Sequence, residues 1–127
     1  MREIGNVFHE VWEETEFVAI VTNGEHGPHM AGTWGDYVRK LGIRGDTIVI
    51  PAGGFRQTEQ NLERDNRIKM MIASHKVPGS NAPGQGLEMQ GTGTIVSIGP
   101  LFDEVKQKFP WARAALVVQV VKVIKHL

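Results

Sequence analysis

A chain of 127 residues suits one domain that buries roughly two-thirds of its unfolded surface, so residues 1–127 are expected to share a single core. With 41% hydrophobic and 22% charged residues it is too apolar for disorder, and no apolar run reaches the roughly 18–20 residues of a transmembrane helix. Fourteen basic against 14 acidic residues leave no field for a nucleic-acid backbone, and the lack of cysteine excludes disulfides, thiolate nucleophiles and Fe–S clusters.

The start Met1-Arg2-Glu3-Ile4-Gly5-Asn6 has no signal-peptide core, so a cytoplasmic location without membrane association is expected. Ile4, Phe8, Val11 and Trp12 recur at helical spacing, which predicts an amphipathic helix over residues 6–15. Residues 17–22 are β-branched and continuous. The turn residues Asn23-Gly24-Glu25-His26-Gly27-Pro28 follow, and residues 29–38 resume an extended pattern, so a hairpin is predicted. A third strand covers residues 47–51 and ends at Gly53-Gly54, before a polar segment of helical composition over residues 56–65.

Residues 67–74 alternate and then turn apolar, giving a fourth strand, while residues 77–86 carry too much Gly and Pro for an element interior. Residues 87–98 alternate as a long strand, which its glycines allow to bend. Leu101, Val105 and Phe109 mark a short helix over residues 101–109, stopped by Pro110. The last strand, residues 114–125, is apolar on both faces at first, so one side should meet the core and the other a helix or a second subunit. Fifteen glycines without a fixed period agree with many short strands. Six strands with two or three short helices predict a mainly β fold, a small antiparallel barrel that hides its edges; a mixed α+β sandwich is the alternative.

The most informative segment is Pro51-Ala52-Gly53-Gly54-Phe55-Arg56-Gln57-Thr58-Glu59. Paired glycines let backbone approach a ligand, the following helix start offers free N–H groups, and Arg56 and Thr58 add a cation and a hydroxyl. This set suits a phosphate monoester. Alone, the segment also reads as a glycine turn before a Thr-capped helix with Arg56 solvated. Trp34, Tyr37 and Trp111 are candidates to flank a flat conjugated ring, or to fill the core. The histidines are scattered, with only His26 and His29 close, which gives no metal-ligand spacing. No nucleophile elbow, Walker motif or dinucleotide fingerprint occurs.

The order Val18-Ala19-Ile20-Val21-Thr22, Gly27-Pro28-His29, Thr33-Trp34, Val49 to Gly54, Thr58-Glu59-Gln60-Asn61 and Trp111 to Val117 resembles the FMN-binding split-barrel family related to pyridoxamine 5′-phosphate oxidase. The likeness is greatest to its small FMN-binding members in sulfate-reducing bacteria, and it covers essentially the whole chain. It implies a homodimeric six-stranded split β-barrel with one FMN per subunit, acting in electron transfer. The partner would then be a redox protein or a small-molecule donor or acceptor. Residues Pro51, Ala52, Gly53, Gly54, Phe55, Arg56, Gln57 and Thr58 would wrap the ribityl phosphate, and Thr33, Trp34 and Tyr37 would lie along the flavin. Trp111 would approach the ring, and Leu127 would reach it from the partner subunit.

The sequence departs from the relatives in two places. Gln57 stands where they carry a lysine, leaving Arg56 as the cation, and Gly35-Asp36 replaces an Asn-Ser pair. An ionised Asp36 near the flavin would lower its potential. A flavin-dependent oxidase or reductase acting on a small substrate is the alternative activity, and storage of a phosphorylated aromatic a third.

Overall fold

The computed structural model describes residues 6–127, and Ile4 of the predicted helical stripe lies outside them. In chain order the elements are α1 (Asn6–Glu14), β1 (Phe17–Gly24), β2 (Gly27–Trp34), α2 (Gly35–Leu41), β3 (Ile43–Arg44), β4 (Thr47–Ala52), α3 (Arg56–Arg64), β5 (Arg67–Pro78), β6 (Pro83–Val96), α4 (Pro100–Lys108) and β7 (Ala114–His126). The strands form one seven-stranded antiparallel sheet, ordered β2-β1-β5-β6-β7-β4-β3. None of the helices is long and apolar enough to cross a membrane.

Alternation along the strands decides where the core sits. Val18 and Ile20 of β1, Ile68, Met70 and Ile72 of β5, Leu87 and Met89 of β6, Leu116, Val118 and Val120 of β7, and Ile48 and Ile50 of β4 all enter one buried cluster. β1 and β4 are separated in the sheet by β5, β6 and β7, so the sheet curls until its two flanks share a core. α1 closes this core with Phe8, Val11 and Trp12, each contributing roughly 1.5–3 kcal/mol on burial. On the opposite face of β4 and β7 a second cluster joins Val49 and Ala115 to Leu41 of α2 and Val105 of α4. That accounts for the two apolar faces of the last strand: one meets the core, the other meets helices.

Several sequence expectations are corrected. There are seven strands, because the two-residue edge strand β3 is too short to show a pattern, and four helices among the described residues. The curl is closed by side-chain packing, with β2 and β3 left as edges, so the sheet is not a hydrogen-bonded closed barrel. Residues 35–38, expected to be extended, begin α2. Gly35 makes this possible: its N–H bonds the Glu16 carbonyl at 2.8 Å, and a Cβ there would lie 2.0 Å from the Thr15 carbonyl oxygen. Arg39 then donates to the Trp12 and Thr15 carbonyls at 2.9 and 2.7 Å, satisfying the end of α1.

The segment 77–86, read as a loop, is mostly strand: β5 runs to Pro78, β6 starts at Pro83, and the register shifts between Ser74 and Pro78. A second shift, at Gln90 and Gly91, bends β6 against β7.

Candidate functional site

Strand β4 delivers the glycine turn. Pro51 and Ala52 are buried and pair with Ala115 and Ala114 of β7, and the Arg113 N–H extends that ladder to the Ala52 carbonyl at 2.9 Å. Gly53 and Gly54 then leave the sheet exposed. Phe55 precedes α3 in the left-handed region, φ 62°, which costs a non-glycine residue about 1–2 kcal/mol. Its side chain packs against the main core, holding the chain in that conformation. This turn aims the start of α3.

The ladder of α3 begins with the Glu59 N–H bonding the Phe55 carbonyl at 2.8 Å, so the N–H groups of Arg56, Gln57 and Thr58 stand ahead of it. No side chain caps the helix, which sets aside the Thr-capped alternative. Thr58 instead lies in the first turn, 1% exposed, with its hydroxyl buried and unbonded. A buried hydroxyl without a partner costs roughly 1–3 kcal/mol, which is tolerated where a ligand supplies the acceptor. Arg56 is exposed and makes no bond to any described residue. Gln57 is not free in the same way: it donates to Asn61 at 2.9 Å, and Asn61 donates to the Thr22 hydroxyl of β1 at 3.1 Å inside the core.

An aromatic group borders the turn. The Trp111 indole lies against Gly53, where a Cβ would sit 3.0 Å from its ring, so only glycine fits without displacing it. Tyr37 packs on Trp111 and on Phe109, with centroids 5.6 and 5.4 Å apart, and Trp111 and Phe109 are 5.6 Å apart. Trp111 is half exposed. Tyr37 reaches this group from α2 rather than from a strand, which corrects the strand placement of that aromatic.

Residues 51–58, Trp111 and Tyr37 therefore form one continuous lip. Thr33 and Trp34 end β2 directly before α2, which carries Tyr37: Thr33 is buried opposite Val18, and Trp34 packs edge-on against Phe17 at 5.9 Å with half its surface exposed. Leu127 is remote within its own chain. It follows β7 at the end opposite Ala114, roughly 40 Å along the strand, and its carbonyl accepts the Ser80 N–H at 2.8 Å.

Two residues of the site were missed in the sequence. Arg113 donates from Nε and Nη2 to the Gly54 carbonyl at 3.0 and 2.7 Å, and Nη2 lies 2.9 Å from the Glu59 carboxylate. Asn61, by joining Gln57 to Thr22, fixes α3 against β1. Arg113 falls within the stretch Trp111 to Val117 that carries the family resemblance, yet its role is hidden there, because its target lies 59 positions away and meets it only through the pairing of β4 with β7.

The sequence profile of the pyridoxamine 5′-phosphate oxidase family matches residues 5–125. An FMN-binding protein of Nitratidesulfovibrio vulgaris (strain Miyazaki F) is 45% identical over 114 residues, covering 90% of this chain and 91% of the relative. Among solved structures, HupZ of Group A Streptococcus superposes with a TM-score of 0.75 at 14% identity, covering 99% of this chain and 98% of that one. An FMN-binding protein from Syntrophomonas wolfei subsp. wolfei gives 0.70 at 16% identity, covering 99% and 88%. These two structural likenesses speak to the fold alone.

Proposed function

We propose that this chain, which belongs to the pyridoxamine 5′-phosphate oxidase family, binds FMN and serves as an electron carrier. The observation that carries the reading is the partnerless buried hydroxyl of Thr58 in the first turn of α3, directly after a turn whose Gly54 has nothing within 4 Å of a Cβ position. A phosphate monoester fits there: it accepts from the Thr58 hydroxyl and from the N–H groups ahead of the ladder, and the exposed Arg56 answers its charge. The isoalloxazine ring supplies one- and two-electron chemistry when bound.

The chain's own residues bind and orient. The half-exposed Trp111 ring, steadied by Tyr37 and Phe109, offers aromatic contact worth roughly 0.5–1.5 kcal/mol beyond area burial. Glu59, the carboxylate of that first turn, is committed to Arg113. A carrier asks no nucleophile of the protein, which agrees with a site built of backbone, hydroxyl, cation and aromatic groups.

A second copy of the chain completes the reading. Phe17, Val21, Met30, Trp34 and Met71 share the sheet face turned away from the core, and Met30 is 70% exposed. A contiguous apolar face of this kind calls for cover. A homodimer supplies it, and it lets the exposed Leu127 of one subunit serve the site of the other.

The test is addition of FMN to flavin-free protein with melting followed by circular dichroism. FMN at about 100 times its Kd adds roughly 2.7 kcal/mol of stability. No thermal shift overturns the assignment.

A further inference from the structure

The Gly54 carbonyl comes before the left-handed Phe55 that opens α3, so it stands outside the helical ladder, whose first bond is made by Glu59 on Phe55. Arg113 holds it with two hydrogen bonds, from Nε at 3.0 Å and Nη2 at 2.7 Å.

Arg113 is itself fixed on two sides. Its backbone N–H is bonded to the Ala52 carbonyl at 2.9 Å, which ties it to the end of β4, and its Nη2 meets Glu59 at 2.9 Å. Both charged side chains are more buried than exposed, at 21% and 31% of their full area. Arg113 thus spans the turn from strand to helix, and it neutralises the one acidic residue of the first helical turn. Left unpaired, that carboxylate would oppose an anion at the same helix end.

We propose that Arg113 is the positioning residue of this turn: by pinning the Gly54 carbonyl and pairing with Glu59 it fixes the start of α3 and leaves the first-turn N–H groups and the Thr58 hydroxyl to a phosphate monoester. It need not touch the phosphate. The inference rests on the phosphate-binding reading given above.

Kd values for FMN and riboflavin test this. In the wild type FMN binds more tightly than riboflavin. In Arg113→Gln the Kd for FMN rises by roughly 10- to 30-fold while that for riboflavin moves by less than about threefold. Arg113→Lys, which keeps one donor and the charge, falls between the two and serves as the readout should the Gln variant not fold.

Equal losses for both flavins make Arg113 a structural prop and overturn the proposal. A wild type that binds both flavins equally overturns the phosphate reading beneath it.

Discussion

Replacing Thr58 by valine separates a ligand-binding hydroxyl from a merely tolerated one, because the two consequences have opposite signs. The side chain is 1% exposed and its hydroxyl is bonded to nothing among the described residues. Valine keeps the shape and removes the unsatisfied atom, so the flavin-free protein should gain about 1–3 kcal/mol. For a domain of this length that raises the melting temperature by roughly 3–10 °C. Binding moves the other way. A hydrogen bond to a charged acceptor is worth about 1.5–3 kcal/mol, so the Kd for FMN should rise by roughly 10- to 150-fold, with riboflavin little affected. Differential scanning calorimetry on flavin-free protein and fluorescence titration with both flavins give the two numbers. A lower melting temperature, or equal losses for FMN and riboflavin, refutes the reasoning.

Other perturbations are as direct. Arg56→Ala should weaken FMN by several-fold more than riboflavin, with the difference shrinking at high salt because the cation is exposed; titrations at two ionic strengths check this. Gly35→Ala forces a methyl to 2.0 Å from the Thr15 carbonyl oxygen and should cost about 3 kcal/mol in a urea unfolding curve, with the junction between α1 and α2 loosened. The Arg67 side chain, then its N–H, then Asn23 hold the Asp65 carboxyl well below the usual carboxylate range. Its contribution is therefore complete above about pH 4 and lost as the pH falls below that, so Asp65→Asn should flatten the acid limb of melting temperature against pH. Light scattering at micromolar concentration should give a dimer mass, and Met30→Glu, which places charge on the exposed sheet face, a monomer mass.

Much of this was legible in the sequence where a local pattern carries the structure. The stripe Phe8, Val11, Trp12 is buried as its spacing implied, and the order strand, glycine pair, helix over residues 47–64 stands as read. The failures share a cause. α2 has little periodic signal of its own; its start depends on Gly35 pressing against Thr15, and its place on Arg39 reaching the α1 carbonyls, both tertiary events. Tyr37 was accordingly assigned to a strand. The Gly/Pro-rich stretch before β6 looked like a loop because residue type was weighed without the ladder that β5 and β6 impose on it. Arg113 was hidden for the same reason, since nothing near it in the chain announces a carbonyl 59 positions earlier.

The place of β7 in the sheet has a consequence for biosynthesis. β4 has no neighbour on its inner side until β7, the last of the seven described strands to be made, inserts between it and β6. At about 5–20 residues per second, a ribosome has finished the other six strands before Leu116 and Val118 emerge. The nascent chain can pair β1, β2, β5 and β6 early, yet the glycine turn acquires its Arg113 anchor and its Trp111 wall only at the end. A polypeptide truncated before residue 111 should therefore retain hairpin structure and have no grip on the pigment, so that loading waits for β7.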